Sequence, residues 1–319
     1  MGRFPPGRPS TGVAPAGQRV RGVFSVKRLV LCAASAVVSC SSLVVVGSAS
    51  LAGAPAASAT LTGTFLPAPG HVRIHAAPGV ASASSTNWSG YVQLAASKRT
   101  FSYVSDTMVV PTVVATSAGT QYAADWVGIG GDTPGDASLV QDGIQTVVTT
   151  NKNSSTTTYN AWTEILPQPE KPLPLTVQAG DVVTATVRQT AKNKWKMTVD
   201  DTTTGVSDTR TVTYHSRGLS AEAIHERPCI AGNCQSESDL ATLADTSNVT
   251  FGPGSYSESA PGATSVTEPL LRQATGASLS EIVMVGNNEK AIATPSAPSA
   301  AGDAFAEAYG DTAPPAPTI

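Results

Sequence analysis

The chain is 319 residues long, with a formal net charge of −3, 13% charged residues and four Cys. Six of its 20 Lys and Arg crowd into the first 28 residues, and no Asp or Glu precedes Asp106. Without that start, 14 basic residues (20 less 6) face all 23 acidic ones, a balance that argues against nucleic acid or an anionic membrane surface as partner.

The basic start leads into an apolar, small-residue stretch from Leu29 to Leu51, then Ala56-Ala-Ser-Ala-Thr. This order reads as a signal peptide over residues 1–59, and the mature protein is expected to be secreted and free of the membrane. A retained anchor over Leu29 to Val46 is the alternative, diluted by Ser35, Ser39, Ser41 and Ser42. Val37-Val-Ser before Cys40 makes a poor lipobox. Residues 60–80 carry Pro67, Pro69, Gly70 and Pro78, with His71 and His75 among them, as a short pro-segment or linker would.

The body, residues 81–310, opens near Thr86-Asn-Trp-Ser-Gly-Tyr. Period-two alternation rich in Val, Thr and Tyr predicts strands at Tyr103 to Val110, Asp181 to Arg188, Trp195 to Val199 and Arg210 to Tyr214. Lys192-Asn193 predicts a hairpin and Thr204-Gly205 another turn. Ile282-Val-Met-Val-Gly-Asn-Asn reads as a late strand, Phe305-Ala-Glu-Ala-Tyr as the last, and residues 311–319 as a disordered tail. Many short strands with turn signals and no long helical period favour an all-β sandwich, with a barrel second.

Once a leader is removed, only Cys229 and Cys234 remain. Cys229-Ile-Ala-Gly-Asn-Cys234 in an exported protein reads as a small disulfide loop. A pair of zinc ligands is the alternative, but no second Cys or His pair accompanies it.

The common hydrolytic constellations are poorly supported. His215 and His225 are the body's only His, and no Gly-x-Ser-x-Gly elbow accompanies them. Asp132-Thr-Pro and Asp245-Thr-Ser both break the Asp-Thr-Gly turn of paired-Asp proteases, and there is no His-Glu-x-x-His. Amide and carboxylate chemistry remains. Gln141 lies in Ser138-Leu-Val-Gln-Asp-Gly, after Trp126-Val-Gly-Ile-Gly-Gly-Asp; Tyr159-Asn-Ala-Trp-Thr-Glu-Ile-Leu-Pro follows, then Ala221-Glu-Ala-Ile-His-Glu226-Arg-Pro.

In this order the four segments resemble the glutamic peptidases (eqolisins), over roughly residues 86 to 290. The resemblance implies two packed antiparallel sheets, a concanavalin A-like sandwich of jelly-roll type. It implies an acid-acting endopeptidase with Gln141 and Glu226 as catalytic pair. A free Glu titrates near pH ~4.3 and is ionised in mild acid, so it can serve as general base on water and then as acid to the leaving amine. The Gln N–H would stabilise the oxyanion. Trp126, Trp162 and Glu164 would line the cleft, Glu164 sharing a proton with Glu226 or orienting the Gln. No metal or cofactor is implied, and a monomer acting on protein or peptide substrates is expected.

Three departures from the fungal pattern stand out. Gly130 and Asn160 replace residues commonly Asp, which removes negative charge near the pair, and Pro134 replaces a Cys. A bacterial-type member with one disulfide is therefore expected. Two other readings stay open. One is a sandwich glycosidase using Glu164 and Glu226, although its typical Glu-x-Asp-x-x-Glu strand is absent. The other is a glycan-binding protein with Trp88, Trp126 and Trp162 as stacking platforms.

Overall fold

The computed structural model describes residues 81–133, 136–231, 236–259, 265–273 and 276–319. The expected signal peptide, pro-segment, Pro134 and Cys234 lie outside these residues. Among the described residues the chain forms twenty strands: β1 (Ala81–Ser85), β2 (Trp88–Leu94), β3 (Thr100–Val109), β4 (Val113–Val114), β5 (Gly119–Gly130), β6 (Leu139–Thr150) and β7 (Ser155–Ile165). Next come β8 (Lys171–Thr176), β9 (Val182–Ala191), β10 (Lys194–Asp201), β11 (Val206–Thr213), β12 (Ser220–Glu226), β13 (Thr242–Leu243) and β14 (Asp245–Thr246). The last are β15 (Val249–Phe251), β16 (Ser255–Ser259), β17 (Val266–Pro269), β18 (Ser278–Val285), β19 (Ala291–Pro295) and β20 (Phe305–Tyr309). One helical turn, Glu237–Asp239, follows β12. Residues 311–319 form no strand or helix.

The strands make the all-β sandwich expected from the sequence. One layer runs β1–β18–β2–β12–β5–β6–β7–β8; the other runs β11–β10–β9–β3 and continues from β3 through β16–β17 and β15–β20–β19. Pairing of β18 with β19 makes the two layers continuous at one margin. Pairing is antiparallel except where β1 joins β18 and β13 joins β5. Every strand expected from alternation is present, and Asn193 and Gly205 take the left-handed conformation their turns need.

Period two decides the core. Along β9, Val183, Ala185 and Val187 are buried between half-exposed neighbours, and along β10 Trp195, Met197 and Val199 alternate with exposed lysines. These side chains meet Val127, Ile129, Val140, Ile144 and Ala221 of the first layer. Each fully buried apolar side chain of this kind contributes about 1.5–3 kcal/mol. Phe305 links the layers, stacked on Phe251 at 4.6 Å and edge-on to Tyr91 at 5.0 Å.

β12 departs from this pattern: all seven residues are buried, four of them Ser220, Glu222, His225 and Glu226. A strand covered on both faces normally reads as a continuous apolar run. Here one face meets the core and the other carries polar side chains shielded from water.

Several carboxyls sit inside the sandwich. Asp142, between Val127 and Thr163 in register, is completely buried. Burial pushes its carboxyl well above the usual range; the backbone N–H groups of Thr186 and Thr198 offset part of this, although neither oxygen makes a well-aligned hydrogen bond. Burial likewise raises Asp106 and Glu307. Such acids stay protonated in the fold while the unfolded chain ionises, so the native state binds more protons and stability falls as pH rises above the unfolded values. Each group contributes up to about 1.4 kcal/mol per pH unit over that window. Urea midpoints should therefore drop from mildly acid to neutral pH. Asp142→Asn should be more stable than wild type at neutral pH and lose that advantage in acid; a pH-independent difference would refute the assignment.

Candidate active site

Alternation on six neighbouring strands collects one set of side chains on the face away from the core. Trp88, Val92, Ala124, Trp126, Leu139, Trp162, Leu166, Ile224 and Ile282 form an apolar cluster there. Gln141, Glu164 and Glu226 share parity with it on β6, β7 and β12. All three polar side chains are shielded, at 1%, 0% and 0% exposure.

Two of them are joined directly. Gln141 stands opposite Glu164 across β6–β7, and its Nε2 donates to Glu164 Oε2 at 2.5 Å. An amide nitrogen carries two hydrogens, and one of them is held by Glu164. Gln141 Oε1 has no hydrogen bond among the described residues.

Glu226 lies two side-chain rows along the face. Gln141 is level with Gly128 on β5, and Glu226 with Ala124. Trp126 lies between those rows and donates from Nε1 to Glu226 Oε2 at 2.7 Å. Asn87 Nδ2 donates to the other oxygen at 3.0 Å. Arg227 secures this arrangement from behind: its Nε donates to the Thr86 carbonyl and its Nη atoms grip Glu237. Burial holds Glu226 well above the usual carboxylate range, offset in part by Trp126, Trp88 and Asn87 and reinforced by the charge of Glu170. The free-Glu value expected from sequence therefore does not apply in this shielded site.

Three acids or amides near the pair were missed by sequence reasoning. Glu222, level with Gly128 on the far side from Gln141, accepts from Ser220 Oγ at 2.6 Å. Burial raises its carboxyl strongly, with Asp132 and Asp136 adding to the effect. Glu170, in the loop between β7 and β8, is pushed up to about 7 by burial. Gln145 lies on the same face, four residues beyond Gln141. Spacing of four along a strand is the signal that marks Glu222 and Gln145 as face-mates of Glu226 and Gln141; Glu170, in a Pro-rich loop, carries no such signal.

His225 faces the opposite way, its Nδ1 2.7 Å from Asp125 Oδ1 in the core, and His215 is exposed. Neither serves the cleft. The three cleft Trp are buried, with Trp88 edge-on to Trp126 at 5.1 Å. Cys229 is disulfide-bonded, but Cys234 lies outside the described residues, so their pairing remains a proposal. Among the described residues no cluster of His, Cys, Asp and Glu could hold a metal ion, and no helix is long and apolar enough to cross a membrane.

The Trp126 N–H favours the ionised form of Glu226. Trp126→Phe should therefore raise the Glu226 carboxyl still further. Carbon-detected NMR titration of that carboxyl reads the change, and a downward shift would remove Trp126 from this role.

Residues 86–297 match the model of the Peptidase A4 family. Aspergillopepsin-2 of Aspergillus niger is 30% identical over 186 residues, covering 52% of this chain and 62% of that protein, less than two thirds of its length. Two crystal structures of scytalido-glutamic peptidase, one with a peptide based transition state analog and one with a transition state analog inhibitor, align with TM-scores of 0.52 and 0.51. They are 24% and 23% identical to this chain and cover 70% of it and 98% of their own length, a likeness of fold. The family match takes in every cleft residue from Asn87 to Glu226: the chain belongs to the Peptidase A4 family.

Proposed function

We propose that this protein is an exported, acid-acting endopeptidase that hydrolyses proteins or peptides with Gln141 and Glu226. The observation that carries the reading is the shared cleft face: an amide aimed by Glu164 and a desolvated carboxyl held by Trp126 and Asn87. Ionised Glu226 takes a proton from water as it attacks the carbonyl carbon, then returns it to the leaving amine. The free N–H of Gln141 meets the oxygen on which negative charge grows, and its Oε1 helps hold the water. Glu164 fixes the amide, while Trp126 and Trp162 wall the cleft and exclude bulk water, which strengthens both contacts.

Loss of residues 1–59 on export and of 60–80 on maturation would leave a monomeric extracellular enzyme without a cofactor. Solvent and substrate relieve part of the desolvation that raises Glu226. Its ionised form then becomes accessible in mild acid. The peptide-based analog bound by scytalido-glutamic peptidase is consistent with an extended peptide on this face.

The glycosidase reading fares worse. Glu164 and Glu226 stand three strand spacings apart across the sheet, roughly 14 Å, and two side-chain rows apart along it, and Glu164 is already committed to Gln141.

Casein digestion across an acid-to-neutral series, with pepstatin and chelator present, tests the proposal. Wild type should cleave in acid. Rate should fall on the acid side as Glu226 is protonated. Glu226→Gln should lose roughly 10²–10⁴-fold and Gln141→Ala roughly 10²–10³-fold. Full activity of Glu226→Gln would sink the mechanism.

A further inference from the structure

Gln145 is completely shielded, at 0% exposure, yet neither its Nε2 nor its Oε1 makes a hydrogen bond among the described residues. Register fixes its place. Glu226 faces Ala124 across β12–β5, Ala124 faces Gln145 across β5–β6, and Gln145 faces Asn160 across β6–β7. These four residues form one cross-strand row on the cleft face, sharing parity with Trp126, Gln141 and Trp162. Ala124 keeps the row low between Glu226 and Gln145. Asn160 Nδ2 at its end likewise lacks a partner among the described residues.

Nearly all buried polar side chains are hydrogen-bonded, and leaving one unsatisfied costs about 1–3 kcal/mol per group. An amide unpaired at both ends, on the face that holds Glu226, calls for a partner arriving from outside. That partner must offer a donor and an acceptor together. A carboxylate or an ammonium offers one of the two; a peptide backbone offers both at every residue.

We infer that Gln145, with Asn160 beside it, is a substrate-binding residue that takes the main-chain N–H and C=O of the bound peptide. The inference rests on the peptidase reading of Glu226. From Glu226 to Asn160 the row crosses three strand spacings, roughly 14 Å, which an extended peptide of about four residues covers. The enzyme thus reads chain length on this side of the scissile bond, with no demand on side-chain identity.

The test uses enzyme expressed from the full chain and one cleavable peptide, whole or trimmed by three residues at either end. Wild type should prefer the whole peptide over one of the trimmed forms. Gln145→Met, similar in volume but without the amide, should lose about tenfold in kcat/KM on the whole peptide, mainly through KM, and distinctly less on that trimmed form. Its Tm should equal or exceed that of wild type, because the amide contributes no hydrogen bond in the free enzyme. An unchanged whole-to-trimmed ratio overturns the inference, and so does a lowered Tm with equal losses on all peptides, the mark of a structural amide. If wild type cleaves none of the peptides, the peptidase reading falls and this inference falls with it.

Discussion

The Trp126 indole lies along the sheet because neighbouring positions leave it room. At Gly143 a Cβ would fall 2.2 Å from the Asp125 carbonyl oxygen and 2.6 Å from Trp126 Cβ; at Gly128 it would fall 2.8 Å from the ring's Cζ3. Real Cβ atoms do not approach that closely, so these positions are glycine for a packing reason. With its benzo edge beside Gly128 and its Nε1 on Glu226, one rigid ring spans the interval from the Gln141 row to the Glu226 row. Trp88 packs edge-on against it at 76°. Spacing between the two functional groups is thereby set by strands and an aromatic plate, not by loops, which is how a site is held to the tolerance that chemistry needs.

The departures from the fungal pattern acquire a physical sense from this arrangement. Gly130 has φ of +98°, and a Cβ there would meet the Ser138 carbonyl oxygen at 2.2 Å. An Asp does not fit this backbone. Glu222 stands at that end of the cleft, its carboxyl raised by burial, with Asp132 and Asp136 adding to the effect. At the other end, where Asn160 stands for an Asp, Glu170 supplies a carboxyl whose charge reaches Glu226. Neither Gly130 nor Asn160 takes part in the Gln141–Glu164 contact.

Much of this was legible in the sequence, for identifiable reasons. Strands β9 and β10 were readable because one face is wet and the other dry, which imposes a clean period of two. Gln141 and Glu226 can be singled out because the motifs around them carry the resemblance. Adjacency to Glu226 assigns His225 to the opposite face. Long-range joins left no local trace: the parallel addition of β1 to β18, or the margin where β18 meets β19, depends on register between segments far apart in the chain. Burial of Glu170 depends on how its loop folds back, which alternation does not encode.

On each of the three central strands a cleft residue has a core polar group as its immediate neighbour: Gln141 with Asp142, Trp126 with Asp125, Glu226 with His225. Side chains of adjacent residues point to opposite faces, so the site and the buried polar interior share one backbone. Raising pH draws protons from Asp142 at an energetic cost borne by β6, the strand that presents Gln141. The upper pH boundary of a working site is then set by the fold, whatever Glu226 itself tolerates. On the proposed mechanism its lower boundary is set by Glu226, which would have to shed a proton to act as base. A fold that keeps its core acids protonated is at its firmest where that proton is hardest to remove, so the working range lies between the two demands.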